Sequence, residues 1–290
     1  MRAISLLKES ISVIKKNIGL ILILFLIVYV PVALLNSFAY VNLDNSQEVS
    51  RALELLMEQG ISEEEKEFRL VMARDEMAKY YLYMLAFLAV SILAATFSLA
   101  VIKLSADSLQ GSENTIEYDG EERNYQYYFS EAVKLLPKYI FSVLVACVMV
   151  ICGMFLFVLP GIVAFVISTL VIYTVALTPF KGRPAFAFCG TVIAKKPTIL
   201  IVIATVMLFD NLVSNVVLWG FEKLNISNVY GRFAAFAAVD CIAELLSVFG
   251  IVITAVAFFR AIKNIPALKD LMAAGEKYEA EKKAKKERGE

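Results

Sequence analysis

Three carboxylates fall inside hydrophobic runs of this chain: Asp210 in one run, and Asp240 and Glu244 in the next. Charged groups are costly in hydrocarbon, so an ionisable residue at membrane depth is a functional candidate by default. Asp240 and Glu244 are four residues apart and share one face of a helix. Asn211 and Asn215 add amide groups to the stretch that holds Asp210. Counting inward from Trp219 and Arg232 puts Asp210 and Asp240 at similar depth, with Glu244 about one helical turn deeper. The sequence offers no Lys or Arg at that level. An isolated carboxyl group there takes up a proton or binds a cation. The functional reading is a polar site between the fifth and sixth spans for protons, a metal ion, or a cationic or hydrogen-bonding substrate. The structural reading is protonated side chains that hydrogen-bond across helices. A third reading has a water-filled outer vestibule reaching the carboxylates.

Other chemistry is sparse. The chain has no histidine, which removes the usual general base, the commonest zinc ligand and the serine–histidine nucleophile. There is no P-loop, dinucleotide fingerprint or nucleophile elbow, and no cofactor is expected. A lipid-directed intramembrane enzyme using Asp240 and Glu244 as an acid–base pair lacks a nucleophile. Cys147, Cys152, Cys189 and Cys241 form no CxxC pair, and core packing is their expected role. The 28 basic and 28 acidic residues cancel, so net charge gives no sign of a nucleic-acid partner.

The elements that hold these residues are transmembrane helices. Hydrophobic residues make up 59% of the 290, above the roughly 45–50% of a soluble domain, and mean hydropathy is +0.70. Apolar runs reach the roughly 20 residues that cross a bilayer. An all-α, polytopic membrane protein with about six spans follows: residues 18–39, 81–104, 139–159, 162–177, 198–219 and 233–259. Ser37-Phe38-Ala39 is faintly like a signal cleavage site, but the preceding apolar run is span-length, so it reads as a retained first helix. Leu159-Pro160-Gly161 is the only break between the third and fourth spans and predicts a tight hairpin, with Pro stopping one helix and Gly giving the turn. Gly153, Gly161 and Ser168 are small residues suited to helix packing. Of the 28 Lys and Arg, 21 flank the spans on one side and 7 on the other. That bias places both termini in the cytoplasm of a cell inner (plasma) membrane.

The membrane domain covers residues 1–266, and residues 267–290 form a mixed-charge cytoplasmic tail that reads as a helix. Residues 41–80 form an extracytoplasmic loop with two expected helices, 46–59 and 62–80. Ser62-Glu63-Glu64-Glu65 is a capping box for the second, and Gly60 ends the first. Asp119-Gly120 predicts a turn in a cytoplasmic loop. Three stretches, 3–16, 127–138 and 185–196, place apolar residues at helical spacing and end in lysine just before a span; Ile4, Leu7, Ile11 and Ile14 show the spacing. Each reads as an interfacial helix on anionic headgroups, giving three units of interfacial helix plus hairpin.

The lysine-ended opening with Lys15-Lys16-Asn17, the Leu159-Pro160-Gly161 turn and the loop 183–197 resemble the membrane domain of glycerophosphoryl diester phosphodiesterases and its stand-alone six-span bacterial relatives. The likeness covers most of the chain on short motifs, and the loop 41–80 departs from it. It implies the six-span fold and a membrane accessory or transport-associated role. It does not imply diester hydrolysis, which in two-domain members belongs to a separate soluble barrel with catalytic histidines. Two function classes follow: transport or sensing of a small molecule, lipid, peptide or ion at the carboxylates, or an accessory role through lipid or protein partners.

Overall fold

A computed structural model describes residues 3–43, 63–113, 124–156, 158–223 and 228–287. In chain order its helices are α1 (Ala3–Leu43), α2 (Glu63–Glu113), α3 (Tyr125–Leu156), α4 (Val158–Ser168), α5 (Val171–Leu177), α6 (Arg183–Lys195), α7 (Thr198–Lys223), α8 (Val229–Asn264) and α9 (Pro266–Glu287). The described residues contain no strand. Among the described residues five helices are long and apolar enough to cross a membrane, or six with the bent pair α6–α7 taken as one span. The protein is an all-α, multi-pass membrane protein. The expected helix 46–59 and the Asp119-Gly120 turn lie outside the described residues.

Helix lengths follow where the chain lacks breakers. Residues 63–110 contain neither Gly nor Pro. The stretch beginning at Glu63 therefore continues into the second span as one helix of 51 residues, roughly 75 Å long and more than twice the hydrocarbon thickness. The separate helix expected over 62–80 is thus the N-terminal part of α2. The first two lysine-ended stretches also run into their spans unbroken, within α1 and α3. Only the third bends, by 106° between Arg183–Lys195 and Thr198–Val213. Lys196 there has extended-side backbone angles, φ −142° and ψ 73°, because the residue before a proline is pushed out of the helical region.

The third-to-fourth-span hairpin forms, but not where the Pro-Gly pair predicts. Pro160 and Gly161 lie inside the first turn of α4, where a missing N–H costs nothing. Gly161 is there for proximity: a Cβ on it would stand 2.4 Å from the Met154 sulfur and 2.8 Å from the Met154 backbone nitrogen. A Cβ on Gly153 would come within 2.9 Å of the Gly161 nitrogen. The fourth span then breaks between α4 and α5, where the Ser168 and Thr169 hydroxyls donate to the Phe165 and Val166 carbonyls.

The chain divides into two compact units, Met1–Phe25, Ala95–Ser214 and Leu245–Glu290 in the first, Leu26–Ala94 and Asn215–Glu244 in the second. In the first, Leu99, Ala100, Val101 and Ile102 of α2 are all fully buried. Four consecutive buried residues require a helix enclosed on every side. Phe97 sets its ring edge-on to Phe25 at 6.2 Å. The α5 and α6 helices meet through Thr174 Oγ1 and Cys189 Sγ, 3.0 Å apart and buried. The tail helix α9 is not merely solvated: Leu268 is buried, and a Cβ on Gly275 would meet the Phe180 ring at 2.7 Å. In the second unit, Val28, Val32 and Ala33 of α1 and Val90 of α2 are buried. The Ser37 hydroxyl there donates to the Ala33 carbonyl at 2.6 Å.

Much of the apolar surface faces outward. Only 11% of the apolar window of α3 is buried within the chain. Phe141, Leu144, Val148, Ile151 and Phe155 form an exposed stripe at helical spacing, a surface that lipid must cover. Cys147 and Cys152 are exposed on this same helix, so of the four cysteines Cys189 alone is fully buried. On α1 the stripe Ile4, Leu7 and Ile11 faces outward, whereas Leu6, Ser10, Val13 and Asn17 are buried.

Candidate functional site

The five candidate residues divide between α7 and α8 and between the two units. Asp210 and Asn211 belong to the first unit; Asn215, Asp240 and Glu244 belong to the second. Asp240 and Glu244 occupy one face of α8 and are both half-buried. Asn211 is exposed, and its amide donates to the Met207 carbonyl at 3.0 Å, one turn back on its own helix. Asn215 is exposed. Among the described residues no group of three His, Cys, Asp or Glu is placed to hold a metal ion.

Asp210 is the member with a describable setting. It is half-buried on α7, between the outward-facing Leu208, Phe209 and Leu212. Its neighbour on α8 is Gly250: a Cβ at that position would stand 3.6 Å from each Asp210 carboxylate oxygen and 2.6 Å from Val206 Cγ1. Only glycine lets α7 come this close. Gly250 lies ten residues after Asp240 in the chain, and a Cβ there would meet the carboxylate at ordinary van der Waals distance.

Around that contact the fold adds hydroxyl groups that sequence reasoning missed. Thr254 lies one helical turn beyond Gly250 on α8 and is buried. The Tyr173 side chain of α5 hydrogen-bonds to Thr254 and lies within electrostatic reach of Asp210 and of Tyr139 on α3. The Tyr173 ring also packs on Phe258 at 6.1 Å. Gly250, Thr254 and Phe258 thus form one stripe at spacing four, lined up with Tyr173. A partial signal was present in the sequence: Thr254 is an isolated polar residue within an otherwise apolar run. Its pairing with Tyr173 needs the break before α5, which no local motif announces.

Chemically, the first unit offers one half-buried carboxylate, with the Tyr173 phenol within its electrostatic reach and the Thr254 hydroxyl paired to that phenol. A carboxylate in apolar surroundings favours protonation or a cation, and hydroxyls can hand on a proton or complete a cation's shell. The set has no nucleophile–base pair.

A second polar contact ties helix ends together. Arg260 of α8 forks onto Glu9 of α1, with Nε donating to both carboxylate oxygens at 3.0 and 3.2 Å and Nη2 also pairing with Glu9. Asn17 of α1 donates to Ser108 of α2 at 2.6 Å and to the Val13 carbonyl at 2.7 Å.

No protein-family model matches the chain, and comparison with curated proteins and with solved structures gives no significant match.

Proposed function

We propose that this multi-pass membrane protein is non-enzymatic and moves or senses a small cationic or protonatable solute, with Asp210 as the group that accepts it. The observation that carries the reading is a half-buried carboxylate beside Gly250, among outward-facing apolar residues of α7 and within electrostatic reach of Tyr173. Ionisable groups retained at such depth mark ion pathways and proton relays. Placement in the plasma membrane with both termini cytoplasmic rests on the bias of Lys and Arg. Asp240 and Glu244, on one face of α8, supply a second carboxylate pair for the same class of solute.

The experiment is thermal unfolding of purified protein from acid to neutral pH, with Na⁺, K⁺, Mg²⁺ and Ca²⁺ in turn. Wild type is compared with Asp210→Asn, Asp240→Asn and Glu244→Gln. A proton- or cation-dependent stabilisation that Asp210→Asn removes is the expected result, because binding to the folded state raises stability by mass action. Superimposable, ion-insensitive curves would reject the reading and favour an accessory role through lipid or protein contacts.

A further inference from the structure

The elbow between α6 and α7 encloses a groove that the Asp210 cluster does not use. It holds about 250 Å³ and is lined by Leu6, Ile199, Val202 and Ala257, with Lys196 and Thr198 as its polar members. Everything else on its walls is hydrocarbon. The groove exists because α6 turns by 106° into α7, leaving a corner that α1 and α8 close with Leu6 and Ala257.

The charges around this corner are of one available sign. One turn beyond Leu6 on α1 is Glu9, and one turn beyond Ala257 on α8 is Arg260. These two neutralise each other through the forked pair. Lys196 lines the groove, and Lys195 beside it is exposed. Lysine at the end of an apolar cleft between helices matches an amphiphile with an anionic head and a hydrocarbon tail. The volume is below the roughly 300–1,000 Å³ of a pocket enclosing a whole small ligand, so it fits part of a chain and leaves the headgroup outside. We propose that the α6–α7 elbow binds one anionic phospholipid, its acyl chain in the groove between Leu6, Val202 and Ala257 and its phosphate on Lys196 and Thr198. This inference stands apart from the solute site, since none of its residues belongs to the Asp210 cluster.

The test uses the full chain in neutral detergent, with native mass spectrometry counting bound lipid as phosphatidylglycerol or phosphatidylcholine is added. Wild type is expected to retain one phosphatidylglycerol at concentrations where phosphatidylcholine is not retained. Lys196→Gln should weaken that binding about fivefold, the worth of one basic side chain at an anionic headgroup. Val202→Trp fills the groove and should abolish it. Thr198→Phe, at an exposed position on the rim, blocks the same space if the first variant fails to fold. Soluble glycerol phosphate should not compete, because it lacks the chain. Equal retention of phosphatidylcholine would overturn the proposal. So would wild-type binding by the folded groove variants, or displacement by glycerol phosphate alone.

Discussion

At Leu136-Pro137-Lys138 the chain carries a proline through a helix without leaving it, and α3 continues for another 19 residues past Pro137 to Leu156. At Lys195-Lys196-Pro197 the same residue types turn the chain by 106°. Composition does not separate the two. Order does part of the work: in the second case the lysines precede the proline, and Lys196 takes the extended conformation that proline imposes on its predecessor. Tertiary contacts do the rest. The start of α6 is fixed at Gly182, whose φ of +58° suits only glycine. Its N–H donates to Ser142 Oγ at 2.7 Å, and the Ser142 hydroxyl donates to the Lys138 carbonyl at 2.6 Å. The straight entry thus anchors the bent one. The residue that opens α6 is thus tied to the side of α3, and Pro197 lets the next segment turn by 106°.

The largest way to break this relation is at its anchor. A Cβ on Gly182 would stand 2.4 Å from Phe141 Cε1. Gly182→Ala is therefore expected to cost about 2–4 kcal/mol, from backbone strain plus overpacking. Denaturant titration in micelles would measure this. Adding Phe141→Ala should recover the steric share and leave the strain, and full recovery would show that φ does not matter. Next in size is the hairpin. Gly161→Ala drives a methyl into the Met154 backbone nitrogen, a contact no rotamer change relieves, so a loss of about 1–3 kcal/mol is expected in the same titration.

Smaller again is the Glu9–Arg260 pair. Glu9→Gln leaves the guanidinium partly buried beside a neutral group and should cost about 1–2 kcal/mol. A double-mutant cycle with Arg260→Gln isolates the coupling, which would be near zero if the contact were only a surface pair. The smallest change in stability, and the sharpest on the comparison, comes from the prolines. Pro197→Ala should lengthen the spin-label distance between positions 187 and 208 by relaxing the elbow, whereas Pro137→Ala should leave distances along α3 unchanged. Equal responses at both sites would show that proline is not what distinguishes them.

The spans were legible in the sequence because hydropathy is summed over some twenty residues and survives any local error. The helix boundaries were less so. Nothing in the sequence of α2 marks an end until Gly111, and the expected boundary between a helix ending at Tyr80 and a span starting at Tyr81 is absent. Pro160-Gly161 read as a turn, yet both sit in the first turn of α4 because proline suits that place and glycine was needed for contact with Met154. For the site, the sequence pointed to Asp210 by type alone. Its neighbour Gly250 comes from another helix, and a pairing set by packing cannot be counted from span ends.

Infrared difference spectroscopy of the reconstituted protein through an acid-to-neutral pH step, wild type against Asp210→Asn, bears most directly on the solute site. The account predicts a carboxyl protonation band in wild type that the variant lacks and that a bound cation suppresses. Identical spectra, or a band that no cation moves, would contradict it and leave Asp210 a packing contact.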